Sequence, residues 1–109
     1  MIIREIWEEN EQERPDEKIL IKRDEAETIE LGYISVDSGA AHKEGFHEDE
    51  EEIYVVLKGR AILRIGNEEK EVSEGSVAYV PRNTKHNMIC ISEEKLEYLY
   101  FANWPDSKR

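Results

Sequence analysis

Histidine is scarce in this chain, and two of its three copies stand close together. His42 and His47 lie in the stretch 39–59, Gly-Ala-Ala-His-Lys-Glu-Gly-Phe-His-Glu-Asp-Glu-Glu-Glu-Ile-Tyr-Val-Val-Leu-Lys-Gly, where a run of carboxylates leads straight into an apolar strand. The third, His86, lies far downstream in a second turn-and-strand unit. Imidazole and carboxylate side chains together form a donor set for divalent cations. We expect the two units to meet in space around a small polar site, a metal site. For most of the acids, including Glu8-Glu9 and much of Glu50-Glu51-Glu52, the simpler role is solvated surface.

The units that must position these groups read as strands. Lys18 to Arg23 and Thr28 to Val36 are rich in β-branched and aromatic residues, with Asp24 to Glu27 as a turn between them. Glu52 to Lys58 and Arg60 to Ile65 follow, separated by Gly59, and Gly66-Asn67 suits a two-residue hairpin loop into Glu69 to Val72. Ser76 to Val80, His86 to Ile91 and Leu96 to Ala102 complete the set. Short strands punctuated by Gly, Pro and Asn, with no long helix, predict an all-β sandwich or barrel. Residues 2–7 fit a short strand or one helical turn equally well. Glu8 to Lys18, with Pro15, reads as a polar surface loop, and Trp104-Pro105 opens a polar tail.

Period-two parity then assigns faces. If Glu52 points inward, Tyr54 and Val56 follow it, and Ile53, Val55 and Leu57 take the other face. His86, Met88 and Cys90 likewise share a face. On these grounds Tyr54, Tyr79, Met88, Cys90 and Tyr98 are candidate walls of a ligand pocket. Cys90 reads as a small buried residue, not a nucleophile. Arg60, Arg64 and Arg82 are candidate anchors for a carboxylate or phosphate. Pro81 fixes the first corner of a turn and Asn83 tolerates left-handed geometry, which would launch His86 into the interior. Strands with two apolar faces need cover on the outside, from a second sheet layer or another subunit, and we expect a homodimer to provide it.

The 109 residues fit one domain, 1–109. With 26 acidic against 15 basic residues the formal charge is −11, which repels nucleic acid and anionic membranes. No stretch reaches the length of a membrane span, the N-terminus lacks a signal-peptide pattern, and Cys90 has no disulfide partner in the chain. These features predict a cytoplasmic protein. Abundant Glu and Lys with little Cys or Met also matches the composition of thermophile proteins.

The spacing of the two units resembles that of a known family. One family motif runs Gly, five residues, His, one residue, His, three or four residues, Glu, six residues, Gly; Gly39, His47, Glu52 and Gly59 fall in that register. A second runs Gly, five residues, Pro, one residue, Gly, two residues, His, three residues, Asn; Gly75, Pro81 and His86 match it, with Asn83 at the inner Gly and Cys90 at the final Asn. The chain is therefore similar to small single-domain cupins over residues 28–102. That resemblance implies a jelly-roll barrel, the double-stranded β-helix. Gly45 stands where the family has its first histidine, so the resemblance leaves His47, Glu52 and His86 as metal ligands. His42 supplies a fourth if its loop doubles back, because an extended chain would separate residues 42 and 47 by roughly 15 Å.

A two-His, one-carboxylate set accepts Fe, Zn, Ni or Mn. The implied activity is that of a metal-binding cupin acting on or binding a small polar or acidic metabolite, as a dioxygenase, isomerase or decarboxylase. A non-catalytic module that binds or senses a sugar or acid without essential metal is the alternative.

Overall fold

The alternating pattern resolves into eight strands among the described residues: β1 (Glu17–Ile21), β2 (Ile29–Val36), β3 (Glu51–Lys58), β4 (Arg60–Ile65), β5 (Glu68–Ser73), β6 (Val77–Val80), β7 (His86–Cys90) and β8 (Leu96–Asn103). This computed structural model describes residues 1–8, 16–42 and 44–106. Pro15 and most of the expected loop around it therefore lie outside the described residues, as does the end of the polar tail. The turn expected at 24–27 is a single 3-10 turn, Arg23–Glu25. Residues 2–7 are neither strand nor helix. They run as an irregular segment, tied down where Arg4 donates to the Leu20 carbonyl and Trp7 Nε1 donates to Glu97. Among the described residues no helix is long and apolar enough to cross a membrane.

The strands form two antiparallel sheets, one ordered β1-β2-β8-β3-β6 and the other β5-β4-β7. Inward side chains of both sheets fill the space between them. In the large sheet, registers put Ile34 beside Tyr98 and Tyr98 beside Val56, with Val36 beside Leu96 one step further along. In the small sheet the matching pairs are Ala61 with Cys90 and Leu63 with Met88. Leu96, Tyr98, Met88, Val80 and Cys90 are almost wholly removed from solvent. Burying an aliphatic or aromatic side chain of this size stabilises a fold by about 1.5–3 kcal/mol.

The same registers make the opposite end of the inter-sheet space polar. Glu30, Ala102 and Glu52 sit side by side across β2, β8 and β3. His86 begins β7 in the facing sheet, opposite Ile65. Apolar packing thus closes one end and leaves the other for chemistry.

Gly59 joins β3 to β4 with φ of 87°, and a side chain there would run into the Lys95 carbonyl 2.8 Å away. The outer face of the large sheet stays apolar: Val77 is 68% exposed, Tyr79 56% and Ile53 42%. Ile53 lies directly between Tyr79 and Phe101 in the ladder, so these residues form a continuous patch.

Candidate functional site

Three of the sequence-derived candidates converge at the polar end. Nε2 of His86 lies 3.2 Å from Oε1 of Glu52, and Nε2 of His47 lies 3.6 Å from the same oxygen. One donor atom from each of His47, Glu52 and His86 falls within 4.8 Å of the other two. Glu52 and His86 are buried, while His47 is partly open to solvent.

The outer nitrogens of both rings are held. His86 Nδ1 lies 3.0 Å from the Thr84 carbonyl, which can only accept, so this nitrogen carries the proton. His47 Nδ1 lies 2.9 Å from Glu50 Oε1. A carbonyl or carboxylate behind an imidazole fixes its orientation and sharpens its inward nitrogen as a ligand, as at metal sites generally. The donor chemistry and second contacts therefore fit a divalent cation.

The three consecutive acids take three different places. Glu50 grips His47, Glu51 turns outward to accept from Tyr79 and Asn103, and Glu52 points inward. Strand parity separates Glu51 from Glu52. Glu50, just before β3, remains on the inner side.

Two turns bring the units together. Asn83 adopts φ of 61°, and its backbone N–H donates to the His47 carbonyl at 2.7 Å. The turn that launches His86 thereby also anchors His47. On the other side, the segment ending at Gly45 runs antiparallel to β7. Gly39 N–H donates to Cys90, His42 N–H to Met88 and Gly45 N–H to His86, with His86 N–H returning to Gly45.

This arrangement changes the expectation for His42. Backbone pairing holds its segment beside β7. His42 lines the same cavity, but it is not part of the clustered set. Gly45 faces the site: an added Cβ would lie 2.6 Å from His86 Nε2 and 3.3 Å from His47 Nε2. The His86 ring occupies the space that a side chain at position 45 would need.

The group sits in a cavity of about 450 Å³. Of the expected wall residues, Tyr54 lines it, and its hydroxyl is 3.5 Å from Glu52 Oε1. Tyr98 packs edge-on behind Tyr54, with ring centroids 5.2 Å apart, one layer deeper. Met88 and Cys90 are core, and the Cys90 thiol is spent on contacts with Ser92 and Glu94. Tyr79 lies on the opposite side of the sheet, because β6 pairs it with outward-facing Ile53. The arginines also lie outside: Arg60 faces Glu71, Arg64 faces Glu69 and Arg82 faces Asp106.

Sequence reasoning missed Glu17, Glu30, Tyr100 and Trp104, all of which line the cavity. Tyr100 packs against Gly32, where a Cβ would come within 2.0 Å of the ring, and its hydroxyl donates to Glu30 at 2.9 Å. An isolated Gly inside a strand signals such a close approach, and Gly32 was the available clue.

Charge accumulates here. Burial, then Glu52, Asp49 and Glu30, push the Glu50 carboxyl up to about 7. Burial works against a charge on His86, but the hydrogen bonds to Glu52 and the Thr84 carbonyl outweigh it and raise its pKa. Burial and the Glu52 charge raise the Tyr54 hydroxyl, and burial and Glu30 raise Tyr100, so both remain proton donors.

Relatives place the same segment in a wider context. The chain is 34% identical over 79 residues to the uncharacterized protein SCO3923 of Streptomyces coelicolor, covering 72% of this chain and 73% of that one. It is 38% identical over 53 residues to the uncharacterized protein MJ1618 of Methanocaldococcus jannaschii, covering 49% of this chain and 42% of the relative. The solved structure of TT1209 from Thermus thermophilus superposes with a TM-score of 0.76 at 20% identity, covering 94% and 97% of the two chains, a likeness of fold. The family model described as "Cupin domain" matches residues 32–101, a span that holds Gly45, His47, Glu52 and His86. With its jelly roll of two antiparallel sheets and that match over more than half its length, the chain belongs to the cupin family.

Proposed function

We propose that this protein is a metal-dependent cupin that takes a small polar molecule into its cavity, with His47, Glu52 and His86 holding a divalent cation, Fe, Zn, Ni or Mn. The observation that carries this reading is the convergence of three donor atoms within 4.8 Å of one another, with both imidazoles held from behind by a fixed contact. A cation bound there supplies Lewis acidity to a ligand oxygen and, if it is iron, oxidative chemistry as well.

The chain's own residues do the rest. Glu50 and the Thr84 carbonyl hold the two imidazoles in register. The protonated Tyr54 hydroxyl is placed to donate to Glu52 or to a ligand oxygen that reaches it. Ile34, Phe46 and Trp104 supply apolar wall that displaces water from the bound molecule. Dioxygenase, isomerase and decarboxylase chemistry are all compatible with such a site.

Metal content tests the reading. Untagged protein grown in metal-replete medium should carry close to one divalent ion per chain, and His47→Ala should lose most of it. Native protein without stoichiometric metal would overturn the proposal.

Gly45 supports a second reading, a binding or sensing module that performs no chemistry, because the position of the family's first histidine has no side chain. A small-molecule thermal-shift screen separates the two. Stabilisation that persists in chelator, without turnover, favours the module. We also propose that the apolar outer face of the large sheet is covered in a homodimer.

A further inference from the structure

Phe46 is a large apolar side chain left 50% exposed where it lines the cavity, directly before His47. Its exposure is not that of a free loop. On one side Gly45 exchanges two backbone hydrogen bonds with His86, and on the other the His47 carbonyl accepts from the Asn83 N–H at 2.7 Å. The backbone is thus clamped at both neighbours, by the same contacts that position His47 and His86. A ring fixed half in water forgoes burial energy that a covering apolar group would return.

A second aromatic side chain reaches the rim from the large sheet. The inward positions of β8 form successive levels: Tyr98 in the core beside Val56, Tyr100 beside Tyr54, and Ala102 beside Glu52. Trp104 continues the same alternation one step further out, its N–H donating to the Thr28 carbonyl at 2.8 Å. It lines the cavity, and the Arg23 guanidinium, 4.0 Å from its centroid, covers one side of its ring. Along this sheet the level of Glu52 therefore has Tyr54 and Tyr100 beneath it and Trp104 above it. A ligand whose oxygens reach the His47–Glu52–His86 group must extend outward past Trp104 and Phe46. A ring at that point gains offset or edge-on aromatic contacts as well as burial, and an all-polar body gains neither.

We propose that the ligand is a small amphipathic aromatic molecule, with a polar oxygen-bearing head toward His47, Glu52 and His86 and its ring against Phe46 and Trp104. This rests on the cavity being the ligand site proposed above, and it replaces the all-polar metabolite expected from the sequence.

The test is calorimetric titration with acetohydroxamate, cyclohexanecarbohydroxamate and benzohydroxamate, which share one chelating head and differ in the body. Because the head and its charge are the same in all three, the carboxylates of the cavity bear on each alike. In zinc-loaded protein, benzohydroxamate should bind about tenfold more tightly than acetohydroxamate and about threefold more tightly than the cyclohexane compound. Phe46→Ala should remove most of the advantage of the ring while zinc content is retained; the half-exposed position makes loss of folding no obstacle. In Trp7→Phe protein, where Trp104 is the sole tryptophan, benzohydroxamate should quench the emission and acetohydroxamate should not. Equal affinities across the series, or a ring advantage that Phe46→Ala leaves intact with Trp104 emission unchanged, overturns the proposal. Stoichiometric zinc with equal affinities sinks the aromatic ligand and leaves the metal reading standing. Quenching of Trp104 by benzohydroxamate alone, in protein that takes up no zinc, upholds the aromatic ligand while the metal reading fails.

Discussion

With no side chain at Gly45, the His86 ring lies against the backbone and reaches Glu52. Position 45 has no left-handed strain, so Gly45→Ala should fold. Its new methyl would nonetheless sit 2.6 Å from His86 Nε2 and push the ring aside. We expect zinc affinity to fall about 10–100-fold, the usual cost of disturbing a ligand's orientation, in a competition titration against a chromophoric chelator. Unchanged affinity would mean that His86 is not held by this contact. Restoring the family histidine at position 45 meets the same obstacle, so Gly45→His should not raise affinity unless His86 moves.

The raised pKa of His86 carries a sign that can be checked. In the metal-free protein a proton on Nε2 faces Glu52, and a cation must displace it. Apparent metal affinity should therefore weaken as pH falls from about 8 to about 6, approaching tenfold per unit below the pKa. A flat profile over that range would exclude His86 as a ligand.

At the scale of elements, Gly32 in β2 shapes the cavity through Tyr100. A methyl at position 32 would overlap the ring, and overpacking of this kind costs about 1–3 kcal/mol. Gly32→Ala should lower the unfolding free energy measured in urea by that amount, moving the midpoint down, and swing the Tyr100 hydroxyl away from Glu30; an unchanged midpoint would show that the strand yields freely. Glu52, Tyr54 and His86 are legible in the sequence because each lies in a strong alternating strand with a positive-φ turn residue before or after it, Gly59 for β3 and Asn83 for β7. Tyr79 was not, because the face of short β6 is set by its pairing with Ile53 and not by its own pattern. Glu17, Glu30 and Tyr100 meet only through the registers of β1, β2 and β8, which no local pattern fixes. The place of His42 depended on how its loop runs, and that loop pairs with β7 through backbone hydrogen bonds to Met88 and its neighbours, which no local sequence pattern announces.

At the scale of the molecule, the apolar strip through Ile53, Phe101, Tyr79 and Val77 contrasts with a surface that is otherwise strongly acidic. Contiguous exposed apolar patches of this kind mark interaction sites. Sedimentation equilibrium should give a dimer for the native chain and a folded monomer for Ile53→Glu. A native monomer at all concentrations would refute the homodimer. The central claim, that His47, Glu52 and His86 hold a divalent cation, is most directly met by anomalous diffraction from crystals of untagged protein grown in metal-replete medium. The account predicts an anomalous peak within coordination distance of His47 Nε2, Glu52 and His86 Nε2, with His42 outside the coordination sphere. Well-ordered crystals with no peak between those three side chains would contradict it.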